Sequence, residues 1–113
     1  MSEETQYNWG TAPVICTLNG YKWLLCQEAP GRIKWKDAID WCKVQGGELP
    51  PREVLLMCYL NDEIRPLFKE SWHWSSTEFN TTYAWAQHFS DGNQDGGSKD
   101  GTHSVRAVRK VLI

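Results

Sequence analysis

The residues most able to do chemistry lie in the last third of the chain. Asp91-Gly92-Asn93-Gln94-Asp95-Gly96 has the first half of a calcium loop, with oxygen donors Asp91, Asn93 and Asp95 at positions 1, 3 and 5 and glycine at 6. The twelfth position is Thr102, which cannot supply a bidentate carboxylate, and Asp100 would serve only by a different path. The competing reading is a hairpin connection built from the Asp-Gly turns 91–92, 95–96 and 100–101. That reading is the expectation here, with no cofactor; calcium on Asp91, Asn93 and Asp95 is the alternative. Trp72-His73-Trp74 puts two indoles on one face of an extended segment and an imidazole on the other. Trp74 is expected in the core. Trp72 is equally suited to the core or to a platform for a sugar ring, a base or a partner side chain. His73, His88 and His103 are far apart in sequence, so isolated surface histidines are expected in preference to a three-histidine metal site. Arg106 and Arg109, three apart on a strand, point to opposite faces, one toward a core-side network and one toward solvent or a partner.

No catalytic constellation accompanies these residues. Ser75-Ser76 lacks a nucleophile-elbow context, and there is no phosphate loop or pair of carboxylates at working distance. Cys16, Cys26, Cys42 and Cys58 are scattered without CxxC spacing, which argues for buried free thiols over a metal or redox site. The expectation is therefore a non-catalytic protein.

The elements that must position these residues follow from patterning. Val14–Thr17 and Tyr21–Cys26 flank Asn19-Gly20, a type I′ turn signal, and read as a hairpin. Trp35, Ala38, Ile39 and Cys42 fall on one face of a helix that Gly46-Gly47 should end. Pro51 is placed as the first residue of a second helix that runs through 52–60, apolar on most sides and expected to be buried between other elements. Residues 72–77, 83–89 and 104–111 read as strands, with Tyr83, Trp85 and Phe89 sharing a face and a Gly/Asp-rich loop spanning 90–103.

At 113 residues the chain supports one core, expected as a flexible segment 1–12 and a single domain 13–113. Seven tryptophans are many for this length, so either aromatics build the core or some face a ligand. No apolar run approaches the roughly 20 residues needed to span a bilayer, and the acidic, polar start is unlike a secretory signal, so a cytoplasmic protein is expected. The net charge of −2 offers no general attraction for nucleic acid. Charge is unevenly spread, with seven acids against three bases in 61–100 and three bases with no acid in 101–113.

Three stretches in this order carry a resemblance: Trp35-Lys36-Asp37-Ala38-Ile39-Asp40-Trp41-Cys42 with Gly47-Glu48-Leu49-Pro50, then Trp74-Ser75-Ser76-Thr77-Glu78, then Val105-Arg106-Ala107-Val108-Arg109. Together they resemble the Lcl C-terminal family of bacteria and phages, similar to the C-type lectin-like fold, over about residues 20–111. The resemblance implies an α+β, C-type lectin-like domain, with two helices packed on mostly antiparallel strands. The family's last motif ordinarily carries a cysteine paired to the one in the first helix. Here Ala107 stands in its place, so that disulfide is not expected. The Glu-Pro-Asn, Gln-Pro-Asp and Trp-Asn-Asp tripeptides of calcium-dependent sugar binding are also missing. The fold is similar to that of sulfatase-activating oxidases too, but the chain lacks their late pair of cysteines.

The expected core includes Trp23, Trp35, Leu55, Leu56, Trp74, Trp85 and Phe89, leaving Trp9 and Trp72 as the indoles freest for other work. The expected function is recognition of a protein partner by a phage or prophage accessory protein that binds, and can inhibit, a host factor. Trp72, Tyr83, Asn93, Gln94 and Asp95 are the expected contacts. The alternative is a calcium- or carbohydrate-binding, lectin-like adhesin or tail-associated receptor-binding module. Neither a membrane nor a nucleic-acid partner is expected.

Overall fold

The computed structural model describes residues 9–113. In chain order the elements are strands β1 (Val14–Leu18), β2 (Tyr21–Glu28) and β3 (Ile33–Lys34), then helices α1 (Trp35–Val44) and α2 (Arg52–Leu60). Strands β4 (Trp72–Glu78), β5 (Tyr83–His88), β6 (Gln94–Ser98), β7 (Thr102–His103) and β8 (Arg106–Leu112) complete the chain. All strand pairs are antiparallel, in sheets ordered β1-β2-β8, β4-β5-β6 and β3-β7. The protein is a mixed α+β fold.

Local chemistry accounts for the boundaries. Asn19 and Gly20 have φ of 56° and 82°, the two positive values a type I′ turn requires, and they register β1 on β2. Helix α1 closes with a Schellman motif: Gly47 N–H donates to Cys42 O and Gly46 N–H to Lys43 O, with Gly46 at φ 81°. Helix α2 starts one residue later than expected, at Arg52, with Pro51 extended as the cap. The cap bears no side-chain acceptor, so Thr77 Oγ1 of β4 accepts the Arg52 N–H at 3.0 Å.

The interior is two cores that share strands. Trp23, Leu25, Val54, Leu55, Cys58, Phe68, Phe89 and Val108 pack around α2. Cys26, Ala38, Cys42, Leu49, Trp74, Ala84, Ala86, Val105 and Ala107 pack around α1. Successive residues of β2 (Leu25, Cys26) and of β8 (Ala107, Val108) go to opposite cores, as a two-residue side-chain period demands of strands buried on both faces. The indoles secure the arrangement through their N–H groups. Trp23 donates to Leu18 O, Trp35 to Ser75 O and Trp74 to Ile33 O.

Several expectations are corrected. Leu56 is 41% exposed and Leu60 60% exposed, because α2 is covered on one side only, by β1, β4 and β5. Trp35 is half-buried at the edge of the α1 core, and Trp85 is half-buried outside both cores. The span 90–103 holds two strands, β6 and β7; Gly96 and Gly97 lie in β6, where Gly97 is closely approached by His103 and Trp74. Of the segment expected to be flexible, residues 1–8 lie outside the described residues. Trp9–Thr11 forms a 3₁₀ turn. Trp9 is half-buried on the Gly46-Gly47 cap and donates its indole N–H to Gln45 O at 2.7 Å, so this indole is committed to the end of α1. Among the described residues no helix is long and apolar enough to cross a membrane.

Candidate functional site

The sheet β4-β5-β6 carries four of the five expected contact residues, divided between its faces and its loop; Asn93 lies just before β6. Register puts Trp72 opposite His88, Trp74 opposite Ala86, and Ala86 opposite Asp95, all on the α1 side. His73, Gln87 and Gln94, and likewise Trp85 and Gly96, share the α2 side.

On the α1 side, Trp72, Ala86, Asp95, Gly96, Gly97 and His103 line a recess of about 280 Å³. Small residues make it: Ala86 and the two glycines leave space between the larger Trp72 and His103. Gly97 keeps the site open, since a Cβ would come 3.0 Å from His103 Nε2 and 3.2 Å from the Trp74 ring and would press those side chains aside. Trp72 is half-buried, with His88 edge-on at 5.1 Å and His103 tilted at 6.4 Å. The His103 imidazole packs on Trp74 at 4.5 Å and its buried Nδ1 has no hydrogen-bond partner among the described residues. Burial first, then the nearby charges of Arg32 and His73, pull the His103 pKa below the usual histidine value, which favours the neutral ring. Among the described residues lining the recess, Asp95 carries the one formal charge, and its Oδ1 accepts the Gly96 N–H at 2.8 Å.

On the α2 side an aromatic patch forms where α2 ends its cover. Phe79 is 56% and Tyr83 43% exposed. Phe79 meets Trp85 edge-to-face at 5.1 Å, and the Arg52 guanidinium lies 3.8 Å over the Trp85 ring. Arg52 is held there by Gln94, whose Oε1 accepts its Nε–H at 2.9 Å. Gln94 Nε2 in turn donates to Arg52 O and to Gln87 Oε1, and the buried Gln87 donates to Leu55 O. Phe79, Trp85 and Arg52 did not stand out as contacts from sequence. The signal was there in the polar Gln87 and Gln94, which pair across the strands to hold an arginine.

The remaining site residues are placed as follows. Asp91 Oδ1 accepts the Asn93 N–H at 2.9 Å, while His88 donates its N–H to Asn93 O, making a tight β5–β6 turn. Asp95 belongs to strand β6, apart from that turn. Among the described residues no group of three His, Cys, Asp or Glu is arranged to hold a metal ion. The histidines are not isolated at the surface as expected: His73 is fully buried, and His88 and His103 both pack on Trp72. Ser75 is buried, with its hydroxyl donating to Trp85 O at 2.6 Å. Arg106 and Arg109 diverge as strand geometry requires. Arg106 donates to Cys26 O and Leu67 O, and Arg109 donates to Gly46 O and lies over Trp9.

No protein-family model matches the chain, and no curated protein matches it in sequence.

Proposed function

We propose that this protein is a non-catalytic binding module that docks a protein partner on the β4-β5-β6 end of the molecule. The observation that carries the reading is the patch of Phe79, Tyr83 and Trp85 with Arg52 held over it. Exposed aromatics beside a pre-positioned arginine are the composition of interface hot spots. The network Leu55 O–Gln87–Gln94–Arg52 supports it, because a rigid arginine loses little side-chain entropy on binding. The resemblance in the three sequence motifs supports a C-type lectin-like scaffold and a phage or prophage accessory role in which the partner is a host protein that binding can inhibit.

The test is capture from a bacterial host lysate on immobilised protein, comparing wild type with a Phe79→Ala/Tyr83→Ala double variant. A specific protein should be retained by wild type and lost by roughly tenfold or more in the variant. Equal retention by the two, or no specific protein on either, would overturn the reading.

A further inference from the structure

We propose that the outer edge of β6 docks an extended peptide segment of the partner, and that the recess between Trp72 and His103 receives a lysine side chain from it. This deepens the protein-binding reading and rests on it. Among the described residues β6 pairs on one side only, with β5, so its other edge has no strand partner: there Gly96 N–H is held only by the Asp95 side chain and Ser98 O only by the Gly101 turn. The sequence there, Gln94-Asp95-Gly96-Gly97-Ser98, has no bulky side chain to keep a second backbone away.

The chemistry of the recess selects the side chain. Its indole wall and Ala86 floor suit an alkyl stem, and its single charge is the Asp95 carboxylate. Trp72 adds an aromatic ring for an ammonium group. Among the described residues no lysine or arginine lines the recess itself, the positive charge of Arg32 acting on it from beyond the His103 ring, and the lowered pKa of His103 favours a neutral imidazole on that wall. Asp95 now caps the Gly96 amide. A carbonyl from the incoming strand can take over that N–H, turning the carboxylate toward the ammonium. Side chains of the added strand alternate, so the residues flanking the lysine fall on the Phe79–Tyr83 side. One peptide thereby engages both surfaces. The excess of acids in residues 61–100 favours the approach of a basic segment.

The experiment is an NMR titration of the ¹⁵N-labelled protein with three probes: acetyl-Val-Lys-Val-amide, the same peptide with norleucine for lysine, and methyl α-D-glucopyranoside. The lysine peptide should shift the Gly96 and Gly97 amides and the Trp72 indole N–H. The norleucine peptide should bind roughly fivefold more weakly, the weight of one partly exposed charge contact. Asp95→Asn retains an acceptor for Gly96 and, with its remaining amide resonances unshifted as the check on folding, should reduce the lysine peptide to the norleucine level. Equal binding of the two peptides, an unaltered preference in Asp95→Asn, movement of these resonances by the glucoside, or no shift with any probe would each overturn the proposal. Peptide shifts confined to Phe79 and Tyr83 would overturn it while leaving the protein-binding reading standing. Loss of partner capture in Phe79→Ala/Tyr83→Ala reports on that reading separately.

Discussion

Gln94 shows how a residue picked for its place in a polar loop can serve through another residue. Its amide fixes Arg52 over Trp85 and satisfies the buried Gln87 Oε1 at 2.6 Å. Replacing it by alanine leaves that buried oxygen without its partner, so Gln94→Ala should destabilise the fold by about 1–3 kcal/mol in urea denaturation. The thiols make a second residue-scale case. Burial raises the pKa of all four, with Cys26 pushed up to about 11, and Cys42 and Cys58 raised further. Only Cys16 is not fully buried. Brief alkylation of the native protein at neutral pH, mapped by mass spectrometry, should therefore label Cys16 first and the other three only after unfolding.

At the scale of elements, β2, β4 and β8 are joined by a charge cluster beside the α2 core. Glu28 Oε1 lies 3.2 Å from His73 Nε2 and 3.5 Å from Arg106 Nε, with Lys69 Nζ 3.8 Å from Oε2. The other nitrogen of His73 meets the Ser71 carbonyl at 3.0 Å, so both ring partners are acceptors. Burial by itself would raise the Glu28 pKa. The hydrogen bond from His73 and the charges of His73, Arg106 and Lys69 together outweigh it, and the net shift is downward from the usual 4.5. A carboxylate with a lowered folded-state pKa contributes stability that is complete above its unfolded value and disappears as pH falls through the folded one. Glu28→Gln should thus cost about 1–3 kcal/mol at pH 7, because the largely enclosed Arg106 loses its carboxylate partner and the buried His73 Nε2 is left facing a neutral amide. The gap between wild type and variant should narrow below pH 4.5, as followed by urea melts across pH. Glu28 and His73 lie 45 residues apart, so sequence pattern could not bring them together. The hairpin and α1 were legible because an Asn-Gly turn, a helical stripe and a glycine pair are local signals. The burial of both faces of β4 and β5 was not, since it depends on which helix covers which side. On the Tyr83–Trp85–Phe89 face, Phe89 joins the α2 core as expected, whereas Trp85, expected there too, is only half-buried, and Tyr83, expected as a contact, is exposed.

The whole molecule stands on two small cores that share strands, so neither can melt alone without tearing the strands of the other. Leu55→Ala, in the α2 core, should cost about 2–5 kcal/mol. It should also shift one common transition, with tryptophan fluorescence and far-ultraviolet circular dichroism remaining superimposed during urea unfolding. The candidate site was half legible at this scale. Trp72, Tyr83 and Asp95 were recognisable by residue type. That Trp72 and Asp95 share one face of the sheet and Tyr83 lies on the other follows only from the register of β4, β5 and β6.

The pairing of β2 with β8 sets Tyr21 against Leu112 and Leu25 against Val108, nearly the full length of the chain apart. During synthesis, the hairpin that emerges first must wait for the last strand before its second edge is covered. Closing so long a loop also slows the search for the native arrangement. Refolding from urea should be a millisecond-to-second process in stopped-flow fluorescence, slower than for a helical protein of this size. A nascent chain stalled before Arg106 emerges should stay protease-sensitive until that strand is released.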